Sequence, residues 1–215
     1  MPELPANGAT ARDCALSAPT TTTPGACSPR IVSQITFHYR GGMPIYALGD
    51  LVPTIDETAF IHPDAVLIGD VVVGPEASVW PTAVLRADNN RISVGAQTSV
   101  QDGTIVHCTE ELPTIIGARC VVGHNVHLEG CTIEDDALIG SGSVVLHRVI
   151  VRSWSLVAAQ ALVSGGTEVP AAAMAVGVPA RIKEGKVTPD MITPGVEMYL
   201  QKARNYPGTM RRISG

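Results

Sequence analysis

The chain has 215 residues, of which 45% are hydrophobic, 16% charged and only 4% aromatic. A net charge of −5 without a basic run argues against a nucleic-acid partner, and no apolar stretch reaches the length of a membrane span. The cysteines Cys14, Cys27, Cys108, Cys120 and Cys131 form neither a CxxC pair nor a secreted disulfide framework, and no secretory signal precedes Met43, so a cytoplasmic protein with free thiols is expected.

Residues 1–42 differ in composition from the rest. The stretch "SAPTTTTPGACSP" has no usable periodicity and reads as a disordered tail, or as translation from a start upstream of Met43. From residue 55 a repeat sets in, with aliphatic residues every six positions at Ile55, Ile61, Leu67, Val73, Val79 and Leu85. It resumes at Val94, Val100 and Val106, again at Ile116, Val122 and Leu128, and then runs from Ile133 to Val169. Four residues after most of these stands a small residue: Ala59, Ala65, Ala77 and Ala83, later Thr98, Thr104, Cys120 and Thr132, and finally Ala137, Ser143, Ser155, Ala161 and Ala173. Glycine directly follows the aliphatic position at Gly74, Gly95, Gly117, Gly123 and Gly140, where turns that other residues adopt badly are expected.

A period of six fits neither an amphipathic helix nor an alternating strand. It fits short strands joined by tight turns and stacked as a solenoid, three hexads to a triangular coil. The expected division is a β-helix over residues 43–183 and a linker with a closing helix over 184–215. In "TPGVEMYLQKARNY", Thr193 is the expected N-cap and Pro194 the first helical residue, with Val196, Tyr199, Leu200 and Ala203 on the face that packs on the solenoid. Gly195 in the first turn counts slightly against that helix.

The repeat slips between Leu85 and Val94, between Val106 and Ile116, and between Leu128 and Ile133. Around these breaks lies the densest polar cluster: Arg86, Asp88, Gln101, Asp102, His107, Glu110, His124, His127 and Glu129. Val106 and Leu128 fall on the same wall one coil apart, so His107 and Glu129 are expected to stack side by side and point outward. His127 points outward from the strand of Glu129. His124 falls on a different wall or corner, so one ion held by His107 and His124 is more easily built between two subunits, as in a trimer with parallel axes. Such His and Glu side chains suit zinc. His38, His62 and His147 read as ordinary surface histidines.

Over "VLRADNNRISVGAQTSVQDGTIVH" and "VVGHNVHLEGCTIEDDALIGSGSVVL" the chain resembles the gamma-class carbonic anhydrases, whose pattern runs VLRGD, then NIQDG and a His, then GHxAxLHGC. The resemblance spans residues 43–183. It implies a left-handed parallel β-helix, a homotrimer, a zinc ion at the subunit interface (with ferrous iron or cobalt as alternatives) and a small-molecule substrate such as CO2 or bicarbonate.

Carried over, Arg86 and Asp88 take the positions that pair subunits and order the polar network, and Asp102 belongs to the same network. Gln101 orients water. His107 and His124 take two of the three metal-ligand positions, and Glu110 lies where some relatives carry an acidic proton-transfer residue. The chain departs from the pattern at Ala87 and Ser99. Above all, the third ligand histidine is replaced by Glu129, with His127 two places earlier.

Either Glu129 or His127 is then the third ligand, or the metal site is weakened. A carboxylate ligand makes a water held there less acidic and so disfavours CO2 hydration. The implied activity is that of a carbonic anhydrase-like lyase. The same site acting on an acyl-CoA thioester or small carbonyl compound, and an inactive assembly trimer, are the alternatives. Insertions typical of hexapeptide acyltransferases are not evident.

Overall fold

The structure, a computed structural model, describes residues 44–214. The expectations for residues 1–42, for Cys14, Cys27 and His38 lie outside the described residues.

Short hydrogen-bonded strands follow one another around three walls of a left-handed parallel β-helix. Wall one holds Ile45–Tyr46, Ile105–His107, His127–Glu129, Val144–Val145 and Leu162–Val163. Wall two holds Thr54–Ile55, Thr114–Ile116, Thr132–Ile133, Ile150–Val151 and Glu168–Val169. The long strands Val66–Val73 and Val84–Val94 bend across the corner between these walls and belong to both. Wall three is an 8-stranded sheet from Phe60–Ile61 to Met174–Val176, ended by the antiparallel strand Arg181–Lys183; the parallel strands, 8 less 1, mark seven coils.

The periodic aliphatics fill the interior as three columns. Leu67, Leu85, Val106, Leu128, Val145 and Val163 line wall one and are fully buried. Parallel registers such as Leu85↔Val106 and Val106↔Leu128 keep each column vertical. Small residues fill the corners, where a triangular interior is narrowest. Hydroxyls among them bridge successive coils: Thr98 Oγ1 donates to Gly117 O (2.6 Å) and accepts from Cys120 N–H (2.9 Å). Thr104 does the same between Gly123 O (2.7 Å) and Val126 N–H (3.2 Å). These bonds satisfy buried polar groups that would otherwise cost stability.

Three expectations are corrected. Thr132 is not a corner residue; the coil is short by one residue there, so buried Cys131 takes the corner and Thr132 faces outward. The glycines after the aliphatic positions do not carry left-handed backbone. That conformation falls at the turn position just before most corner residues, at Glu76, Gln97, Arg119, Asn125, Asp136 and Gln160 among others. Gly95 and Gly117 are needed because corners stack so closely that a Cβ on either would stand 2.4 and 2.5 Å from the next coil. Finally, the N-cap of the closing helix, α1 (Thr193–Thr209), is Ile192 rather than Thr193, and among the described residues no side chain caps it.

Val196, Tyr199 and Ala203 of α1 are buried on wall three, and Leu200 is partly so. They meet Val121, Leu156, Val187 and Ile192 at one end, and Phe60 and Trp80 at the other. Trp80 is ringed by Phe60, Tyr199 and Tyr206 at centroid distances of 5.2, 5.3 and 5.1 Å. Its indole N–H donates to Ser78 Oγ at 2.9 Å. The absence of a side chain at Gly195 lets the first turn lie against Val121, where a Cβ would stand 3.3 Å from Cγ2.

Candidate metal centre

All three slips in the repeat fall at one corner, between wall one and wall two. The extra residues in Val84–Val94 and between His107 and Thr114 build a polar shelf there, while the short link from Glu129 to Thr132 leaves the shelf open on its next coil. Cys108 anchors the shelf from inside: Asn90 N–H donates to its Sγ (3.2 Å), and the thiol donates to Asn90 O (3.1 Å).

On this shelf His107 and Glu129 are register partners, as the wall count requires. His107 Nδ1 lies 3.0 Å from Glu129 Oε1, and its Nε2 lies 3.0 Å from Asp88 Oδ1. Asp88 is also paired with Arg86. His127 Nε2 approaches the other Glu129 oxygen, Oε2, at 3.2 Å. His147, which the sequence reading set aside, brings Nε2 to 3.6 Å from Glu129 Oε1. Glu129 is thus a hub for three imidazoles. Burial works to raise its pKa, but hydrogen bonds from His107 and His127 and the charges of His107 and His147 hold it below the usual carboxylate range. For Asp88 burial is likewise outweighed by hydrogen bonds from His107 and Arg86.

A second group occupies the corner between wall three and wall one. His124 follows the strand Val121–Val122, and its Nδ1 lies 2.9 Å from Asp102 Oδ2. Tyr199 Oη, from α1, stands 3.5 Å from His124 Nε2. His62 sits nearby with Nδ1 accepting from Asp64 N–H (3.1 Å); burial pulls its pKa down, against the charges of Asp64 and Asp102. Gln101 is buried on wall three, its backbone N–H bonded to Val122 O (3.0 Å). Ser99 Oγ is buried beneath α1 and has no hydrogen-bond partner among the described residues.

The structure therefore gathers Arg86, Asp88, His107, His127 and Glu129, and separately gathers Asp102 and His124. Among the described residues no ion pair joins the two groups. Glu110 is exposed in the corner loop, and its carboxylate has no partner among the described residues. Two features went unread in the sequence. His147 looked isolated because it stands two positions beyond its interior residue, Val145, where only the coil stacking shows that it reaches Glu129. Tyr199 was legible as a packing residue, but its contact with His124 depends on how α1 docks.

In chemistry the donors suit a divalent cation: imidazole nitrogen and carboxylate oxygen are both zinc ligands, and His107 and Glu129 stand side by side, hydrogen-bonded at 3.0 Å. Binding would replace a carboxylate contact and a proton on the ring. Among the described residues no group of three or more His, Cys, Asp or Glu side chains is placed to hold a metal ion.

No protein-family model matches the chain. It is 40% identical over 164 residues to gamma carbonic anhydrase 2, mitochondrial, of Arabidopsis thaliana, a match covering 73% of this chain and 57% of the relative. It is 41% identical over 139 residues to the carnitine operon protein CaiE of Escherichia coli strain K12, covering 65% of this chain and 71% of the relative. The chain belongs to the gamma-class carbonic anhydrase family. It spans a little over half the length of the plant relative. Among solved structures of this hexapeptide-repeat kind, it is similar to a hexapeptide transferase family protein from Anaplasma phagocytophilum, with 33% identity and a TM-score of 0.71 over 75% of this chain and 97% of that one. A candidate acetyltransferase from Bacillus cereus matches with 32% identity and a TM-score of 0.75 over 77% and 98%. No helix among the described residues is long and apolar enough to cross a membrane.

Proposed function

We propose that this member of the gamma-class family is a metal-dependent enzyme whose site forms between protomers of a homotrimer. His107 and Glu129 of one protomer and His124 of the next hold a zinc-type ion, with ferrous iron or cobalt able to take the same donors. The supporting observation is the split itself: His107 and Glu129 stand together on one corner with donors 3.0 Å apart, and His124 stands on another, its Nδ1 2.9 Å from Asp102 Oδ2. Side-by-side packing of parallel solenoids brings unlike corners together, and cyclic symmetry closes such contacts.

A bound divalent cation supplies Lewis acidity and makes a water more acidic. The chain's residues supply the rest. Asp102 sets a carboxylate 2.9 Å from His124 Nδ1, the kind of neighbour that supports a metal-ligating imidazole. Arg86 and Asp88 form the charged pair that lines the contact and holds His107 from its other side. Gln101 orients water, and exposed Glu110 exchanges protons with solvent.

The substrate on this reading is CO2 or bicarbonate. The second reading keeps the site and changes the substrate to an acyl-CoA thioester or a small carbonyl compound, favoured by the carboxylate at 129 and by the transferase names of the solved relatives. An inactive assembly trimer is the third. Mass measurement in solution, metal analysis, and parallel assays of CO2 hydration and acyl-CoA hydrolysis test them. A trimer with one metal per protomer, inactive and metal-free as His124→Ala, is expected. A monomer, or a trimer with no affinity for zinc or cobalt, overturns the proposal.

A further inference from the structure

We infer that His147 is a positioning residue for Glu129, fixing together with His127 which carboxylate oxygen is presented to the ion; this role rests on the reading above that Glu129 is a ligand. The register Leu128↔Val145 places His147 on the coil after Glu129. Its Nε2 is shielded from solvent and has no hydrogen-bond partner among the described residues, although the side chain as a whole is 45% exposed. The carboxylate oxygen that this nitrogen faces is Glu129 Oε1, 3.6 Å away.

The surroundings hold the ring in that place. A Cβ on Gly130, which has a φ of +60°, would stand 3.1 Å from His147 Cδ2, so the glycine leaves the ring its room. Gly166 N–H donates to His147 O (2.9 Å), and Arg148 N–H donates to Gly130 O (2.7 Å), tying the two loops together. His127 meets Oε2 from the other side at 3.2 Å.

A carboxylate needs such help more than an imidazole does. Its terminal torsion is broad and its two oxygens are equivalent, so an unsupported Glu presents a ligand atom in many directions. Partners behind a metal ligand restrict it, and their loss weakens metal affinity by about 10–100-fold. The replacement of a ligand histidine by Glu129 thus comes with two imidazoles, His127 and His147, set to hold the new ligand.

The test titrates Co2+ into metal-free full-length protein, read by calorimetry and by visible absorption, for the wild type, His147→Ala, His147→Gln and His124→Ala. Expected are Co2+ binding by the wild type and its loss in His124→Ala. His147→Ala should bind about 10–100-fold more weakly with shifted absorption bands. His147→Gln, which restores a nitrogen donor, should recover most of both. Wild-type affinity and an unchanged spectrum in His147→Ala overturn the positioning role while leaving Glu129 a ligand. If the wild type binds no Co2+, or His124→Ala binds as well as the wild type, the inter-protomer reading falls and this role falls with it. Melting curves of all four proteins separate misfolding from loss of the site, with His147→Gln carrying the test if His147→Ala does not fold.

Discussion

Gly95 and Gly117 stack on consecutive coils, and each has the backbone of the next coil where a side chain would go. Gly117→Ala puts a Cβ 2.5 Å from Asp135 Oδ1 and 2.6 Å from Asp135 N, and the second of these is backbone that cannot swing aside. The coils must part locally, at a cost of about 1–3 kcal/mol, as for an overpacked core. Gly74→Ala meets its nearest atom only at 3.1 Å and is expected to cost clearly less. Urea unfolding midpoints of the two variants check the order. The corner cysteines give a second prediction of this kind. Burial pushes the thiols of Cys120 and Cys131 up to about 12, against 9.0 for an unperturbed thiol. Their contribution to stability is fully present below the unfolded value. As pH rises from there toward about 12, the unfolded chain gives up protons that the folded chain keeps, and stability falls. Midpoints measured from neutral pH upward should drop for the wild type and drop less for the Cys120→Ala, Cys131→Ala double variant.

At the scale of elements, the strands are too short to stand alone and draw their stability from stacking. The helix α1 differs, since it is attached to the outside of wall three, by an aliphatic cluster at one end and an aromatic one at the other. Trp80 is 3% exposed and touches two tyrosines of α1, so Trp80→Ala removes the centre of that attachment. A loss of about 3–5 kcal/mol is expected. Amide exchange should quicken in Thr193–Thr209 more than in the strands of wall one; uniform quickening would mean that α1 and the solenoid unfold as one unit. Such loosening reaches the candidate site through Tyr199, whose hydroxyl stands beside His124. The sequence placed α1 and its packing face correctly because Val196, Tyr199 and Ala203 repeat at helical spacing. It misplaced the cap because Ile192 is buried and helical in backbone, which packing decides and no capping side chain announces.

For the whole molecule, the solenoid was legible because one aliphatic column per wall repeats without regard to local detail. Counting coils from Val106 to Leu128 was enough to pair His107 with Glu129. What failed was whatever depended on the depth of a corner. Thr132 was put in place of Cys131 because a one-residue deletion does not disturb the aliphatic pattern. His147 was passed over because its reach toward Glu129 depends on the room beside Gly130. The two groups of the candidate site were legible as residues on different walls, and the structure sets His107 with Glu129 and His124 with Asp102.

The irregular lengths of successive coils are all absorbed at a single edge of the prism. Val100 still pairs with Val122 on wall three although the link between His107 and Thr114 has grown. That edge can lengthen, shorten or change its chemistry while the other two keep the stack in step. A solenoid built this way can exchange one rim for another by altering a few loops, and the same freedom makes the rim of this chain a natural place to graft a designed ligand set.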